Sequence, residues 1–252
     1  MPDKKPVRLP SWFRRVVPSG FQEATLILTG TSPLLMSCAD FDRDGETYRA
    51  YYHLGKKRAK SLDDEARLRE LEWTLRLYHD EQLGPFIPGK NIKEMLREAA
   101  TKWRKGEELK RSLSVTSFRV PLVYDGPRDS ETLWGDGFRY STMVANAGAG
   151  SGRVLRCRPM FDQWSLVVEV AYDPEDLDFD LLELVVERSR KFGLGDYRPA
   201  KGGDFGCFDA VLEQGDLHKL SSNGAALKPV DMVALKAHTV LVEQLMTQAP
   251  PV

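Results

Sequence analysis

Residues 48 to 60, YRAYYHLGKKRAK, interleave three tyrosines, Tyr48, Tyr51 and Tyr52, with Arg49, Lys56, Lys57, Arg58 and Lys60, and contain no acid. Aromatic rings stack on unpaired bases of any identity while cations follow a phosphate backbone, so this mixture suits a groove for single-stranded nucleic acid. A solvated insertion with its tyrosines laid on a core has the same composition. A second cationic group, Arg139, Arg153, Arg156 and Arg158, flanks the glycine-alanine run of residues 147 to 152. A third lies around residues 192 to 206, where Gly193, Gly195, Gly202, Gly203 and Gly206 sit beside Arg198 and Lys201. Glycines at this density allow left-handed backbone and a close approach to phosphate, with amides presented and no side chain in the way. A tight connection whose glycines serve only its turns is the alternative. This loop follows a helix, whereas the dinucleotide-binding glycine fingerprint follows the first strand of a βαβ unit.

Signals for other chemistry are weaker. Asp40, Asp42 and Asp44 form an acidic loop and His53 is an available base, the raw material of a ribonuclease. Cys38, Cys157 and Cys207 and the four histidines are too far apart for a zinc signature, and three unpaired cysteines point to a reducing compartment. No metal, cofactor, phosphate-binding loop or Ser-His-Asp spacing is indicated. The amino terminus, MPDKKPVRLPSWFRR, has no apolar stretch of a secretory signal, and no run approaches membrane-spanning length. The expectation is a cytoplasmic protein, in the host cytoplasm if phage-encoded, with no membrane partner.

The elements that must position these residues follow from periodicity. Residues 24 to 28, ATLIL, read as a buried first strand and residues 37 to 60 as a polar loop or insertion. From Ser61 the chain has a serine cap, early acids and a stripe of Leu68, Leu71, Leu75 and Tyr78, which predicts a helix. A breaker cluster over residues 84 to 89 leads into a helix from Lys90 to Trp103 with Ile92, Met95, Leu96 and Ala99 on one face, closed by Gly106. Residues 114 to 124 read as a strand ending at an edge because of Pro121. Residues 138 to 158 form a protruding hairpin with its arginines at the root, 164 to 172 a core strand, 177 to 190 a helix and 208 to 213 a last strand. The segment VALKAHTVLVEQLM near the carboxyl end fits a helix or a strand equally, and the PPV end reads as frayed.

That order predicts an α+β fold, a ferredoxin-like (RRM-like) βαββαβ core with an inserted helical segment and a protruding β-hairpin. Two helices would cover one face of a four-stranded sheet and leave the other open to a partner. The whole chain reads as one domain, residues 1 to 252. Its core covers about residues 24 to 213, its insertion about 37 to 84, its hairpin about 138 to 158 and its carboxyl-terminal extension about 216 to 252.

The formal net charge of the 252 residues is −1, with 42% hydrophobic and 29% charged residues, so neither disorder nor a membrane protein is indicated. The total hides an asymmetry. Residues 162 to 187 hold nine acids and no base, whereas residues 49 to 60 and 139 to 161 hold bases and no acid. Sorted onto different faces, these segments give a cationic surface on a neutral protein.

Two segments resemble the RAMP superfamily, to which the Cas7 and Cas5 backbone subunits and Cas6 nucleases of CRISPR systems belong. Residues 86 to 97, FIPGKNIKEMLR, including Lys90, are similar to the family's proline-glycine entry into its first helix. FGLGDYRP and GGDFG, within residues 192 to 206, are similar to its glycine-rich loop before the last strand. The resemblance implies a divergent Cas7-like protein, non-catalytic, binding single-stranded RNA or DNA and assembling as a homo-oligomer or filament along it, with the hairpin folded over the strand. A scaffold that self-assembles without nucleic acid and a RAMP-type endoribonuclease are the alternatives.

Overall fold

The structure is a computed structural model that describes residues 17–145, 153–215, 233–234 and 236–242. The hairpin tip, most of the carboxyl-terminal extension and its PPV end lie outside the described residues. The chain forms an α+β arrangement with several antiparallel sheets. The first sheet has the order β10-β1-β9-β5, built from β1 (Gln22–Gly30), β5 (Leu113–Val115), β9 (Ser165–Tyr172) and β10 (Phe208–Gln214), and every neighbouring pair is antiparallel. Leu26, Leu28, Val168, Val170 and Leu212 point from one face into the core. There they meet Ile92, Met95, Leu96 and Ala99 of α3 (Gly89–Ala100) and Leu182, Val185 and Val186 of α6 (Phe179–Ser189). Asp178 caps α6 by accepting from the Leu181 amide at 2.7 Å.

The opposite face of this sheet is not the open platform that the element order suggests. The register puts Thr25, Ile27 and Val167 on it, and all three are buried. Glu23, Glu169 and Glu213 share that face. The cause is written in residues 164 to 172, where Leu166, Val167 and Val168 run consecutively without polar alternation and mark a strand covered on both sides.

The second half of the molecule shares the same hydrophobic core. β2 (Leu34–Leu35), β8 (Arg153–Phe161) and β7 (Arg139–Ala145) form one sheet, and β3 (His79–Asp80), β4 (Gly84–Pro88) and β6 (Arg119–Pro121) another. α2 (Leu62–Arg76) packs on β8, and its buried Trp73 donates to the Phe138 carbonyl at 2.8 Å. Ser61 and Asp64 close a reciprocal capping box on α2, of the kind worth about 1 kcal/mol.

Several local expectations are corrected. Residues 46 to 56 are helical (α1, Glu46–Lys56) rather than loop, because Thr47, Tyr48, Tyr51 and Leu54 recur at helical spacing and half-bury against α2 while the bases face out. The breaker cluster is the strand β4, which runs directly into α3. Gly106 opens the short α4 (Gly106–Ser112) instead of closing α3, since the chain reverses at Arg104, whose φ is 60°. The strand expected over residues 114 to 124 is split, with β5 joining the first sheet and β6 pairing with β4. A short α5 (Ser130–Gly135) precedes the hairpin, and residues 236 to 242 are helical.

Candidate nucleic-acid interface

Register decides which hairpin arginines can act together. Arg158 lies opposite Tyr140 and Arg156 opposite Thr142, so these four side chains share one face of the β7–β8 hairpin. Arg139 lies opposite Pro159 and Arg153 opposite Ala145, on the other face. The expected root cluster is therefore divided two and two, and Arg153 sits at the far end of the arms. Arg139 donates to the Trp134 carbonyl at 2.7 Å with its guanidinium 4.5 Å from the Trp134 ring centroid.

Arg156 and Arg158 converge on a carboxylate that the sequence reading did not single out. Glu72, on α2, has a side chain only 5% exposed, and its Oε1 accepts from Arg158 at 2.9 Å and from Arg156 at 3.2 Å. Its Oε2 accepts from the Cys157 amide at 3.0 Å. β2 pairs with β8 only at Met160 and Phe161, so Glu72 satisfies the strand edge just beyond the point where that pairing ends. Arg158 also donates to Asp196 of the glycine loop at 3.0 Å. Burial works against the Arg158 charge, but its bonds to Glu72 and Asp196 outweigh that and hold the guanidinium above its ordinary value.

Two borders of this hairpin face are aromatic. On one side the Tyr51 hydroxyl accepts from Arg156 at 3.4 Å, which joins α1 to the hairpin. On the other, Tyr140 packs on Phe205 with centroids 5.1 Å apart, and Phe205 on Tyr197 at 6.2 Å. Tyr197 is 57% exposed and has a φ of 50°, a left-handed conformation costly for a tyrosine that the surrounding loop imposes.

The glycine loop owes its shape to its own contacts. Gly193, Gly195, Gly202 and Gly206 are left-handed, and a Cβ on Gly195 would lie 2.3 Å from the Leu35 carbonyl. The Gly206 amide donates to Pro33, Gly203 to Arg198 and Gly202 to Pro199, so these three donors close the loop on the protein itself. Arg198 pairs with Glu98 of α3 at 3.0 Å, while Lys201 is exposed.

α1 carries a run of stacked groups. Phe41, Tyr48 and Tyr52 follow one another with centroids 5.4 and 6.2 Å apart, and Lys56 lies 4.2 Å over the Tyr52 ring. Arg49, Lys56 and Arg58 are exposed, Lys57 pairs with Asp64, and Lys60 holds the carbonyls of Gly55 and Lys57 at the end of the helix. Lys90 pairs with Asp40, which lifts the ammonium above its ordinary value. Asp42 accepts from the Asp44 amide at 2.8 Å, and His53 stands on the exposed side of α1 with its ring edge-on to Tyr52. Among the described residues, no three or more His, Cys, Asp or Glu side chains gather as a metal would require.

The structure thus brings together Tyr51, Arg156 and Arg158 from two of the predicted segments, with the glycine loop joined through Asp196, and it turns Arg139, Arg153, Arg198 and Lys90 elsewhere. Glu72, Asp196, Phe41, Tyr140, Tyr197 and Phe205 are additions to the site. Glu72 had a readable signal, an acid between Leu71 and Trp73 on the buried stripe of a helix. Cys38 and Cys157 are buried, Cys207 is half-buried, and all three are free thiols. Among the described residues, no helix is long and apolar enough to cross a membrane.

No family model matches the chain, and no curated protein does. Among solved structures, the chain is similar to a chain of the type III-B Cmr-beta bound to cognate target RNA, with a TM-score of 0.43 and 10% sequence identity. The likeness covers 77% of this chain and 61% of that one, so the chain spans about three fifths of its length.

Proposed function

We propose that this is a RAMP-type, Cas7-like protein with a ferredoxin-like βαββαβ core that binds single-stranded nucleic acid on the hairpin side of the molecule and not on the sheet. The 4-1-3-2 strand order of the first sheet and the helices α3 and α6 on one face support the core reading. One observation carries the binding reading. The Tyr51–Arg156 contact and the Arg158–Asp196 pair join α1, the hairpin and the glycine loop around a single face.

On that face, Arg156 and Arg158 are balanced by Glu72 and Asp196 and serve to fix the floor. The attraction for phosphate comes from the exposed Arg49, Lys56, Arg58 and Lys201 at its borders. Stacking comes from Tyr52 and Tyr197, the exposed rings on either side. The protein acts by binding rather than by cleavage, because Asp40 is held by Lys90 and Asp42 by the Asp44 amide. Electrophoretic retention of labelled single-stranded RNA, single-stranded DNA and duplex tests this: both single strands are retained in preference to duplex. Equal retention of duplex and single strands contradicts it.

A second reading is self-assembly without nucleic acid. It is favoured by the exposed Leu184 on α6, set between Glu183 and Glu187, which gives an acidic surface complementary to the basic side of α1. Sedimentation of nucleic-acid-free protein separates the two, since only the scaffold assembles without a strand.

A further inference from the structure

The stacked rings of α1 do not end at Phe41. Phe41 is also a wall of a cleft of about 600 Å³, within the size range of small-molecule sites, that no part of the hairpin face uses. Tyr78, Phe86 and Phe118 supply further rings to it, and Asp40 and Lys90 supply polar groups. Two of its rings are backed by guanidinium groups, Arg76 at 5.3 Å from Phe41 and Arg119 at 5.3 Å from Phe86. Phe118 stands at 63% exposure, unusual for a phenylalanine, on the turn between β5 and β6. Its main chain is anchored, because its carbonyl accepts the amide of Gly89 at 2.9 Å, the first residue of α3.

The charges select the occupant. Lys90 is paired with Asp40, Arg119 is paired with Asp80, and Asp42 also lines the cleft. Among the described residues, Lys90 and Arg119 at the wall are therefore balanced by carboxylates, and a phosphate entering would meet acids as well as bases. A flat, uncharged, heteroaromatic group meets no such conflict. It gains the exposed ring of Phe118, and the Asp40 carboxylate and Lys90 ammonium offer an acceptor and a donor to its polar edge.

We propose that this cleft takes one nucleobase of the bound strand, laid against the exposed ring of Phe118 at its rim. This rests on the single-strand reading above and adds a discrete position to it. Bases of an unpaired strand turn out of register at little cost, since no pairing is broken. The strand's phosphates stay outside, against Arg49, Lys56 and Arg58.

The test uses the full chain and single-stranded oligonucleotides carrying one 2-aminopurine at successive positions. Emission changes sharply at one position on binding and little at its neighbours. Phe118→Ala, a change at an exposed ring, weakens the fully based strand by about 5- to 100-fold, the scale of losing one stacked base. The same variant leaves unchanged the affinity for a strand with an abasic residue at that position. If emission changes alike at every position and Phe118→Ala binds like the parent, while salt-sensitive retention persists, the cleft proposal is overturned and the single-strand reading stands. If the parent protein retains no single strand, both are overturned.

Discussion

Arg158 and Glu72 meet at 2.9 Å across the junction of the hairpin and α2, and the same guanidinium reaches Asp196 at 3.0 Å. One arginine thus ties three separate segments, and Glu72 in return holds Arg156, Arg158 and the Cys157 amide. Removing the carboxylate leaves the Arg156 charge with only the Tyr51 hydroxyl, takes one of its two acids from Arg158, and leaves the Cys157 amide unmatched. Glu72→Ala is therefore expected to lower stability by about 3–5 kcal/mol, seen as a thermal midpoint roughly 10 °C lower. Glu72→Gln, which keeps the shape and an acceptor, costs less. Equal midpoints for parent and Glu72→Ala contradict the assignment.

Tyr52 is the outermost ring of the stack, with Lys56 over its face. Tyr52→Ala is expected to weaken single-strand binding by about 1–3 kcal/mol, with the folded state unaffected because α1 has no buried residue. Tyr52→Phe keeps the ring and most of the affinity. Fluorescence anisotropy of a labelled oligonucleotide measures both, and loss of affinity in Tyr52→Phe equal to that in Tyr52→Ala argues against stacking.

Two glycines of the loop separate steric from conformational requirements. Gly195 and Gly202 have similar φ values, 83° and 77°, but a Cβ at Gly195 meets the Leu35 carbonyl at 2.3 Å while one at Gly202 meets nothing within 4 Å. Gly202→Ala carries only the left-handed penalty of roughly 1–2 kcal/mol. Gly195→Ala adds displacement of the Leu34–Leu35 backbone and is expected to cost clearly more in chemical denaturation. Equal losses contradict the packing of the loop on β2.

His238 is buried in the helical residues 236 to 242, its Nδ1 without a partner among the described residues, and burial pushes its pKa down from 6.5 to about 4. The folded state therefore disfavours the proton that the unfolded chain accepts. Its neutral form contributes fully above about pH 6.5, and that contribution falls as the pH drops towards 4. Thermal midpoints compared between parent and His238→Leu are expected to diverge over this window, with the parent losing more as the solution is acidified. Parallel curves contradict the burial of a neutral imidazole.

Where periodicity and capping agree, the fold was legible from sequence. β1, α2 with its Ser61 cap, the apolar face of α3, β9 and α6 all stand where the pattern puts them. α1 was hidden because its inward positions are tyrosines only half-buried on α2, and β4 because Pro85, Pro88 and the glycines around it read as breakers. The candidate site was legible as residue types but not as partners. Composition marks Arg139, Arg153, Arg156 and Arg158 as one cationic group, yet strand alternation sends two to each face, and only tertiary structure brings Glu72 to the pair on one of them. The sheet face fails as a platform because Thr25, Ile27 and Val167 are buried on it, and only the register aligns Val167 with the other two, which lie far from it in the chain.

The central claim is that exposed cations of α1 meet the phosphates of an unpaired strand. It is tested most directly by the affinity for a labelled single strand over a salt series, for the parent and for the combined Arg49→Gln, Lys56→Gln, Arg58→Gln variant. For the parent, log affinity falls linearly with log salt. For the variant the line is lower at low salt and shallower by about 2, near 0.7 for each phosphate no longer neutralised. Parallel lines with equal affinities contradict the account.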